Sequence, residues 1–204
     1  DLGVFESFSP IINQNDCLSP MVYLGNIQPD LQLFVTKKTV SSQLIASDTM
    51  NLWIDLFPSA VSDVAKISNL FLINHEEARQ YTGIHDLPSC ANKIHQLGPE
   101  IVIIKMGAEG SYLSTANNSY YIPTFTVNKV LDPTGAGDSF AGGLMGSLAN
   151  MEEPDFVRAV LVGSAIASCC VEGFGTESLQ KITTHEINRR VSCIEKKMFN
   201  VEKN

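Results

Sequence analysis

The chain of 204 residues is predicted to be an α/β protein, with a mostly parallel sheet covered by helices on both faces. The pattern of apolar residues predicts this class, and the composition predicts a folded core. Short apolar runs are interspersed with segments of helical apolar spacing through the first half of the chain. In addition, 44% of the residues are hydrophobic and 18% are charged, which suits one sizeable core and is too little charge for a disordered protein. We expect a single domain over residues 1-204.

The predicted elements follow from the period of the apolar residues. Four strands are expected in the first half, at Met21–Leu24, Leu44–Ala46, Leu70–Ile73 and Ile101–Ile104. Four helices lie between them, at about Pro29–Thr36, Met50–Phe57, Glu76–Tyr81 and Pro88–Leu97. After Gly110 a hairpin is expected from Ser111–Ser114 and Tyr120–Pro123, followed by a short strand at Phe125–Val127. The end is predicted to be helical, over Asp138–Leu148, Glu153–Cys170 and about Thr184–Lys197.

The stretch Asp132–Gly143 is the most informative about function, because small residues precede a carboxylate where a helix is predicted to begin. Backbone N–H groups at a helix N-terminus lack helical acceptors and carry partial positive charge. The amides of Gly135, Ala136 and Gly137 are therefore suited to stabilise a developing phosphate anion. Asp138, in the first turn, is suited to accept a proton from an attacking hydroxyl. The pattern predicts a site for phosphoryl transfer.

Three other interpretations compete for this stretch. Pro, Gly and Asp are also the ordinary residues of a turn before a capped helix, and that alternative stays open on local composition. Gly135 and Gly137 supply the first two glycines of G-x-G-x-x-G, but Phe140 occupies the place of the third, which disfavours dinucleotide binding. No Gly-Lys-Ser/Thr follows the glycines, so a Walker A loop is excluded.

The run Val130–Gly143 closely resembles the C-terminal signature of the ribokinase-like (PfkB) carbohydrate and nucleoside kinases. Two further pieces occur in the family's order, Asn-His-Glu-Glu at 74–77 and Lys-Met-Gly-Ala-Glu-Gly at 105–110. The resemblance covers roughly residues 21–188. It implies the three-layer ribokinase-like fold and ATP-dependent transfer of the γ-phosphoryl group to an alcohol of a sugar or nucleoside. Asp138 would be the general base, and Gly135, Ala136 and Gly137 would form the anion hole.

The resemblance also implies where the metal and the triphosphate bind. Asn74 and Glu77 match residues that lie near the triphosphate in the family and organise Mg²⁺, largely through water. From their spacing alone, the same two residues also fit a capping box at a helix start. Lys105 stands where relatives often have Thr, so its ammonium either contacts phosphate or faces solvent.

Glycines after the fourth strand and after the long apolar helix complete the nucleotide site that the resemblance implies. Gly107 and Gly110 would let the backbone approach the nucleotide, although this run is also typical of a tight turn. Gly175 and Thr176 are candidates for the wall of the adenine site and of a nearby site for a monovalent cation such as K⁺. From position alone, the run 173–176 fits a helix C-cap.

The predicted strand ends favour a common site for these motifs. In open α/β sheets, ligands bind beyond the carboxyl ends of the strands. Asn74 and Lys105 directly follow predicted strands, and Asp138 follows a connection into a helix, so we expect all three to face one crevice. Asp48 follows another strand and either points into this crevice or caps the next helix, with the cap favoured.

Composition excludes several classes of partner. The net charge is -8 and no Lys/Arg cluster follows a predicted helix, so neither a nucleic acid nor an anionic membrane is expected as a partner. No apolar run has the length of a membrane span. The five cysteines lack metal-ligand spacing, and reduced thiols in a cytoplasmic protein fit best. Cys169 and Cys170 are expected to be buried.

The resemblance is incomplete at the front of the chain. Nothing before Met21 resembles the family's N-terminal Asp-x-x-Gly-Gly region, so its first strands, its lid and much of its acceptor site are expected to be missing. Residues 1-20 are expected to be a remnant of the lid and substrate region, with Phe5, Phe8, Ile11 and Ile12 exposed by the loss. Residues 21-204 would form the nucleotide-binding core. An exposed sheet edge favours self-association, for instance as a homodimer. The alternative is a catalytically silent nucleotide-binding fragment or a shortened pseudo-kinase.

Overall fold

A computed structural model describes the backbone of residues 7–201 and the side chains of residues 7–198. The strands of this part are β1 Met21–Leu24, β2 Leu44–Asp48, β3 Leu70–Asn74, β4 Ile101–Lys105, β5 Ser111–Thr115 and β6 Ser119–Ile122. Its helices are α1 Pro29–Lys38, α2 Asn51–Leu56, α3 Pro58–Ile67, α4 His75–Thr82, α5 Leu87–His95, α6 Ala136–Leu148, α7 Phe156–Cys170 and α8 Thr184–Val201. The strands follow one another in the sheet in the order β1-β2-β3-β4-β5-β6. The predicted α/β class, with a mostly parallel sheet and helices, is confirmed.

The chain divides into two compact units, the first ending at Val102 and the second beginning at Ile103. In the first unit, β1, β2 and β3 are parallel, with Met21 paired to Leu44 and Ala46 paired to Leu70. The four apolar residues of β3 from Leu70 to Ile73 have no exposed surface. A continuous apolar run is typical of a parallel strand that is covered on both faces.

Helix α3 was not predicted from the sequence. Pro58 begins it at the first helical position, where a missing N–H costs no hydrogen bond. Val61, Val64 and Ala65 are buried along one face. This i, i+3, i+4 spacing is the signal that could have identified the helix.

Buried polar groups fix the ends of the strands in the first unit. The Nε2 atom of Gln32, which is buried, lies 3.2, 2.9 and 2.8 Å from the carbonyl oxygens of Leu24, Gly25 and Asp48. Because these carbonyls lie at the end of β1, directly after it and at the end of β2, the Gln32 amide ties the carboxyl ends of the two strands to α1.

The second unit contains the predicted hairpin, in which β5 and β6 are antiparallel and Ser111 is paired to Ile122. The expected strand at Phe125–Val127 is wrong, because these residues belong to no helix or strand. Pro123, which directly follows β6, has no N–H to continue a ladder.

Helices α6 and α7 approach closely through two glycines. A Cβ atom on Gly163 would lie 2.7 Å from the carbonyl oxygen of Phe140, and one on Gly143 would lie 3.0 Å from the Cα of Gly163. Glycine at these positions therefore lets the two backbones touch. Cys169 and Cys170, on α7, are buried as predicted, and all five thiols are free.

Two further expectations concern the exposure of apolar residues before β1 and the lack of a membrane-spanning helix. Phe8 is 46% exposed and Ile11 is 90% exposed, whereas Phe5 lies outside the described residues. Within residues 7–201, no helix combines the length and the apolar character that crossing a membrane requires.

Candidate functional site

The turn before α6 is built around a left-handed glycine. Gly135 is the N-cap of the helix, with a φ of 78°, a conformation that strains other residues. The amide of Ala136 donates to the carbonyl of Pro133 at 3.2 Å, and the amide of Ser139 donates to the carbonyl of Gly135 at 2.8 Å. The amides of Gly137 and Asp138 lie in the first turn of α6, where a backbone N–H has no carbonyl of the same helix to donate to. The helix N-terminus is therefore shaped to receive an anion.

The loop that leads into this turn is held by Asp132. Its Oδ1 atom accepts a hydrogen bond from the amide of Thr134 at 2.9 Å. Hydrogen bonds from Thr134, with a further one from the backbone of Gly175, hold the pKa of Asp132 below its ordinary value. The carboxylate of Asp132 is thus kept ionised at the base of the turn.

Lys105 and the start of α6 come together in the second unit. Lys105 is the last residue of β4, and its Nζ atom lies 3.6 Å from the position that a Cβ on Gly137 would occupy. Asp138 is exposed in the first turn of α6. An ammonium group and a helix N-terminus are both positive, so their convergence favours a bound anion. The carboxylate of Asp138 projects from the same turn.

A pocket of about 430 Å³ lies beside this turn. Its lining is mostly apolar and comes from β4 and the loop after it, the segment after β6, the turn before α6, and helices α6 and α7. The lining residues are Lys105, Gly107, Ala108, Gly110, Thr124, Phe125, Thr126, Val127, Val130, Pro133, Ala136, Gly137, Phe140, Ser164, Ala167, Ser168 and Val171. The pocket has the size and the character of a small-ligand site.

The turn from Lys105 to Gly110 is both a tight turn and part of the pocket wall. The amide of Met106 donates to the carbonyl of Gly110 at 2.8 Å, and the amide of Gly110 donates to the carbonyl of Gly107 at 3.2 Å. Gly110 has a φ of 103°, and a Cβ there would lie 2.1 Å from the carbonyl oxygen of Ile122. Only glycine fits this position. The run is therefore both a structural turn and part of the pocket wall, so the two interpretations are compatible.

Gly175 and Thr176 are not among the residues that line the pocket. Gly175 has a φ of 54° and its backbone contacts Asp132, whereas the Thr176 hydroxyl accepts a hydrogen bond from Gln180 at 3.1 Å. Helix α7 has its C-cap at Val171, before the run that was expected to cap it.

Asn74 and Glu77, in the first unit, form a complete capping box at the start of α4. The amide of Glu77 donates to Asn74 Oδ1, and the amide of Asn74 donates to Glu77 Oε2, each at 2.9 Å. Glu77 is 8% exposed. Among the described residues, no group of three or more His, Cys, Asp or Glu side chains could hold a metal ion. The capping alternative is therefore present, and the magnesium role stays a prediction.

Asp48 does not cap the next helix, contrary to the favoured expectation. Strand β2 continues to Asp48, and the N-cap of α2 is Met50. The buried carboxylate accepts a hydrogen bond from the amide of Thr49 at 2.9 Å, and the Tyr23 hydroxyl lies 3.4 Å from its other oxygen.

The second unit brings several of the predicted residues together. Lys105, Gly107, Gly110, Ala136 and Gly137 share the pocket, with Gly135 and Asp138 in the adjoining turn. Asn74 and Glu77 belong to the first unit. The common crevice expected from the strand ends stays a prediction.

The sequence interpretation missed the part of the pocket that α7 supplies. Ser164, Ala167, Ser168 and Val171 line it at i, i+3, i+4 and i+7. This spacing places small residues on one helix face, a signal that was available before the structure. Phe125 was missed as well, because it was assigned to a strand.

Comparison with known proteins gives a family match over residues 29–182, to the model described as pfkB family carbohydrate kinase. The chain is 24% identical over 169 residues to the nucleoside kinase of Methanocaldococcus jannaschii, which covers 82% of this chain and 54% of that protein. The chain thus spans about half the length of this curated relative.

Two solved structures are similar in fold. The crystal structure of the Methanocaldococcus jannaschii nucleoside kinase has a TM-score of 0.73 at 22% identity, covering 92% of this chain and 60% of that one. The structure of Arabidopsis thaliana ribokinase complexed with ribose and ATP has a TM-score of 0.73 at 20% identity, covering 90% and 61%. At these identities the likeness concerns the fold alone, and it confirms the predicted ribokinase-like α/β fold.

Proposed function

The chain belongs to the pfkB family of carbohydrate kinases, and from that membership we propose that it binds ATP and transfers the γ-phosphoryl group to an alcohol of a sugar or nucleoside. One observation carries the proposal. The ammonium of Lys105, the backbone of Gly137 and the carboxylate of Asp138 gather at the N-terminus of α6, beside a mostly apolar pocket. Phosphoryl transfer requires positioning and charge stabilisation, and these groups are suited to both.

The donor nucleotide is proposed to occupy the pocket of the second unit. Its apolar lining suits a nucleobase, and the glycines at 107 and 110 leave backbone rather than side chain against the ligand. The phosphates would then extend toward Lys105 and the start of α6. A cation and a helix N-terminus both attract phosphate oxygens.

Asp138 is proposed as the general base that accepts the proton of the acceptor hydroxyl. The amides of Gly135, Ala136 and Gly137, with that of Asp138, are proposed to stabilise the negative charge on the transferred group. The Ala136 amide, now 3.2 Å from the carbonyl of Pro133, would exchange that acceptor for a phosphate oxygen.

For the first unit, we propose that Asn74 and Glu77 order the water shell of Mg²⁺. The capping box holds their oxygens in place at the start of α4, and Mg²⁺ in proteins usually keeps several waters. When bound with ATP, the ion neutralises phosphate charge. No direct cage of carboxylates is needed for this role.

Gly175 and Thr176 are proposed to contribute to a site for a monovalent cation such as K⁺. The support is their position after α7 beside the carboxylate of Asp132, which accepts a hydrogen bond from the Gly175 backbone. Oxygen atoms of this kind suit a hard cation.

A phosphoryl-transfer assay with Mg·ATP and a panel of sugars and nucleosides tests the proposal. We expect ATP binding by calorimetry and acceptor-dependent formation of ADP. A chain that binds no nucleotide at millimolar ATP would contradict the whole proposal.

A catalytically silent nucleotide-binding fragment is the second candidate function. It is supported by the pocket of the second unit, which would take a nucleotide without an acceptor. ATP binding without ADP formation on any acceptor of the panel would select this candidate. Self-association of the chain is a further proposal, which sedimentation tests.

A further inference from the structure

Four consecutive residues, Thr124, Phe125, Thr126 and Val127, line the pocket and belong to no helix or strand. We call residues 124–127 the wall segment. A segment outside a hydrogen-bonded ladder depends on side-chain contacts for its position. In this chain such contacts come from α8, the C-terminal helix.

Lys197 of α8 forms hydrogen bonds with two residues of the wall segment. Its Nζ atom donates to the carbonyl of Thr124 at 3.0 Å and to the hydroxyl of Thr126 at 2.7 Å. Lys197 itself is not among the residues that line the pocket. Its effect on a ligand in the pocket is therefore exerted through the wall segment.

Arg190 joins the same segment to α7. Its guanidinium carbon lies 4.6 Å from the centre of the Phe125 ring, and its Nη1 atom donates to the hydroxyl of Ser168 at 2.9 Å. Phe125 and Ser168 both line the pocket. The buried guanidinium is paired with Glu172 and Glu186, so its charge is compensated and its position is fixed.

We propose that Lys197 and Arg190 are positioning residues of the pocket, which hold the wall segment in the shape that receives the nucleobase. The inference rests on the proposed function, in which this pocket takes the base of ATP. The contacts of Lys197 and Arg190, here called the clamp, are made to the wall segment and to Ser168. In the proposed function the phosphates lie at Lys105 and the start of α6 instead, so the clamp is expected to affect the base rather than the phosphates. Loss of the clamp should therefore weaken binding of ATP while leaving binding of inorganic tripolyphosphate unchanged.

The test compares Lys197→Met with Lys196→Met in the full chain. Both variants lose one positive charge on α8, but Lys196 is exposed and directly precedes Lys197 in the sequence. Calorimetry with Mg·ATP should show affinity reduced by about tenfold in Lys197→Met, as expected for loss of hydrogen bonds from a charged group. Lys196→Met should bind ATP like the wild type. Both should bind tripolyphosphate like the wild type.

Arg190→Lys provides a second variant, which keeps the charge and loses the forked guanidinium. We expect it to change the ratio of the affinities for ATP and CTP, because the wall segment shapes the base pocket. Equal ATP affinity in Lys197→Met and Lys196→Met would overturn the inference, as would parallel losses for ATP and tripolyphosphate. A wild-type chain that binds no ATP would overturn the proposed function instead, so the two failures are distinguishable.

Discussion

The glycines around the pocket differ in what they require of the backbone. Gly110 combines a left-handed φ of 103° with a contact that leaves no room for a Cβ, whereas Gly107 has a φ of 58° and nothing within 4 Å of a Cβ. The first is demanded by close approach of the turn to β6, and the second only by its dihedral angle. Substitutions at these two positions therefore separate the free-energy cost of a steric clash from that of a left-handed backbone.

Gly110→Ala should destabilise the chain by about 3 kcal/mol or more, because a Cβ 2.1 Å from the Ile122 carbonyl forces the turn away from β6. Gly107→Ala is the matched control and should cost about 1 kcal/mol, the price of a left-handed residue. Urea unfolding measures both. Equal destabilisation of the two variants would show that the close approach at Gly110 is not present in solution.

Lys105 places its charge beside Gly137. Lys105→Met should weaken binding of Mg·ATP by about tenfold and leave binding of adenosine unchanged, since a charged contact to phosphate is lost and the apolar pocket is kept. Calorimetry at two salt concentrations measures both ligands. A loss of affinity that is the same for ATP and adenosine would place Lys105 at the base instead.

At the scale of elements, α6 and α7 pack closely because glycines without side chains lie at their contact. Gly163→Ala should destabilise the chain by about 2 kcal/mol, because its Cβ would meet the Phe140 carbonyl at 2.7 Å and the helices would have to separate. Gly142→Ala, in α6 with nothing within 4 Å, should stabilise it by up to about 1 kcal/mol. Thermal unfolding gives both signs. Stabilisation by Gly163→Ala would contradict the close helix contact.

Helix α8 depends on the ionised form of Glu186. Hydrogen bonds from Arg189 and Arg190 lower the pKa of Glu186 from 4.5 to about 2. Because the folded pKa is the lower one, the stabilisation is complete above pH 4.5 and is lost as the pH falls toward about 2. Glu186→Gln should be less stable than the wild type at neutral pH and should lose less stability over this interval. Chemical denaturation at a series of pH values measures this, and an equally steep loss in the variant would refute it.

Much of the alternation of strands and helices could be predicted from the sequence, because apolar runs and helical spacing are local signals. Strands β2 and β3 extend to the polar residues Asp48 and Asn74, beyond the predicted apolar runs. Helix α3 was missed because Pro58 was not recognised as a helix start. The strand expected at 125–127 does not form. Thr124 and Thr126 accept hydrogen bonds from Lys197 of α8 instead of taking part in a strand ladder.

The site shows the same limit. The turn from Gly135 to Asp138 was identified by its residue types, which state local chemistry. The approach of Lys105 to Gly137 arises from tertiary packing that no local pattern records. For Asn74 and Glu77, the spacing predicts a capping box, which the structure contains, whereas the metal role is implied by the resemblance and stays a prediction.

At the scale of the whole molecule, the comparisons show the family, and the acceptor belongs to the proposed function. The family match covers residues 29–182, which include the pocket and both partners of the capping box. The chain spans 54% of the length of the Methanocaldococcus jannaschii nucleoside kinase, so the acceptor is the part of the proposed function that needs a direct screen.

The central claim is that Asp138 acts as the base in phosphoryl transfer from ATP bound in the neighbouring pocket. The direct measurement is the turnover of Asp138→Asn beside the wild type, with an acceptor found in the screen and with Mg·ATP affinity measured on the same samples. We expect turnover to fall by a factor of about a thousand or more while ATP affinity stays within about threefold of the wild type. Turnover close to that of the wild type would contradict it.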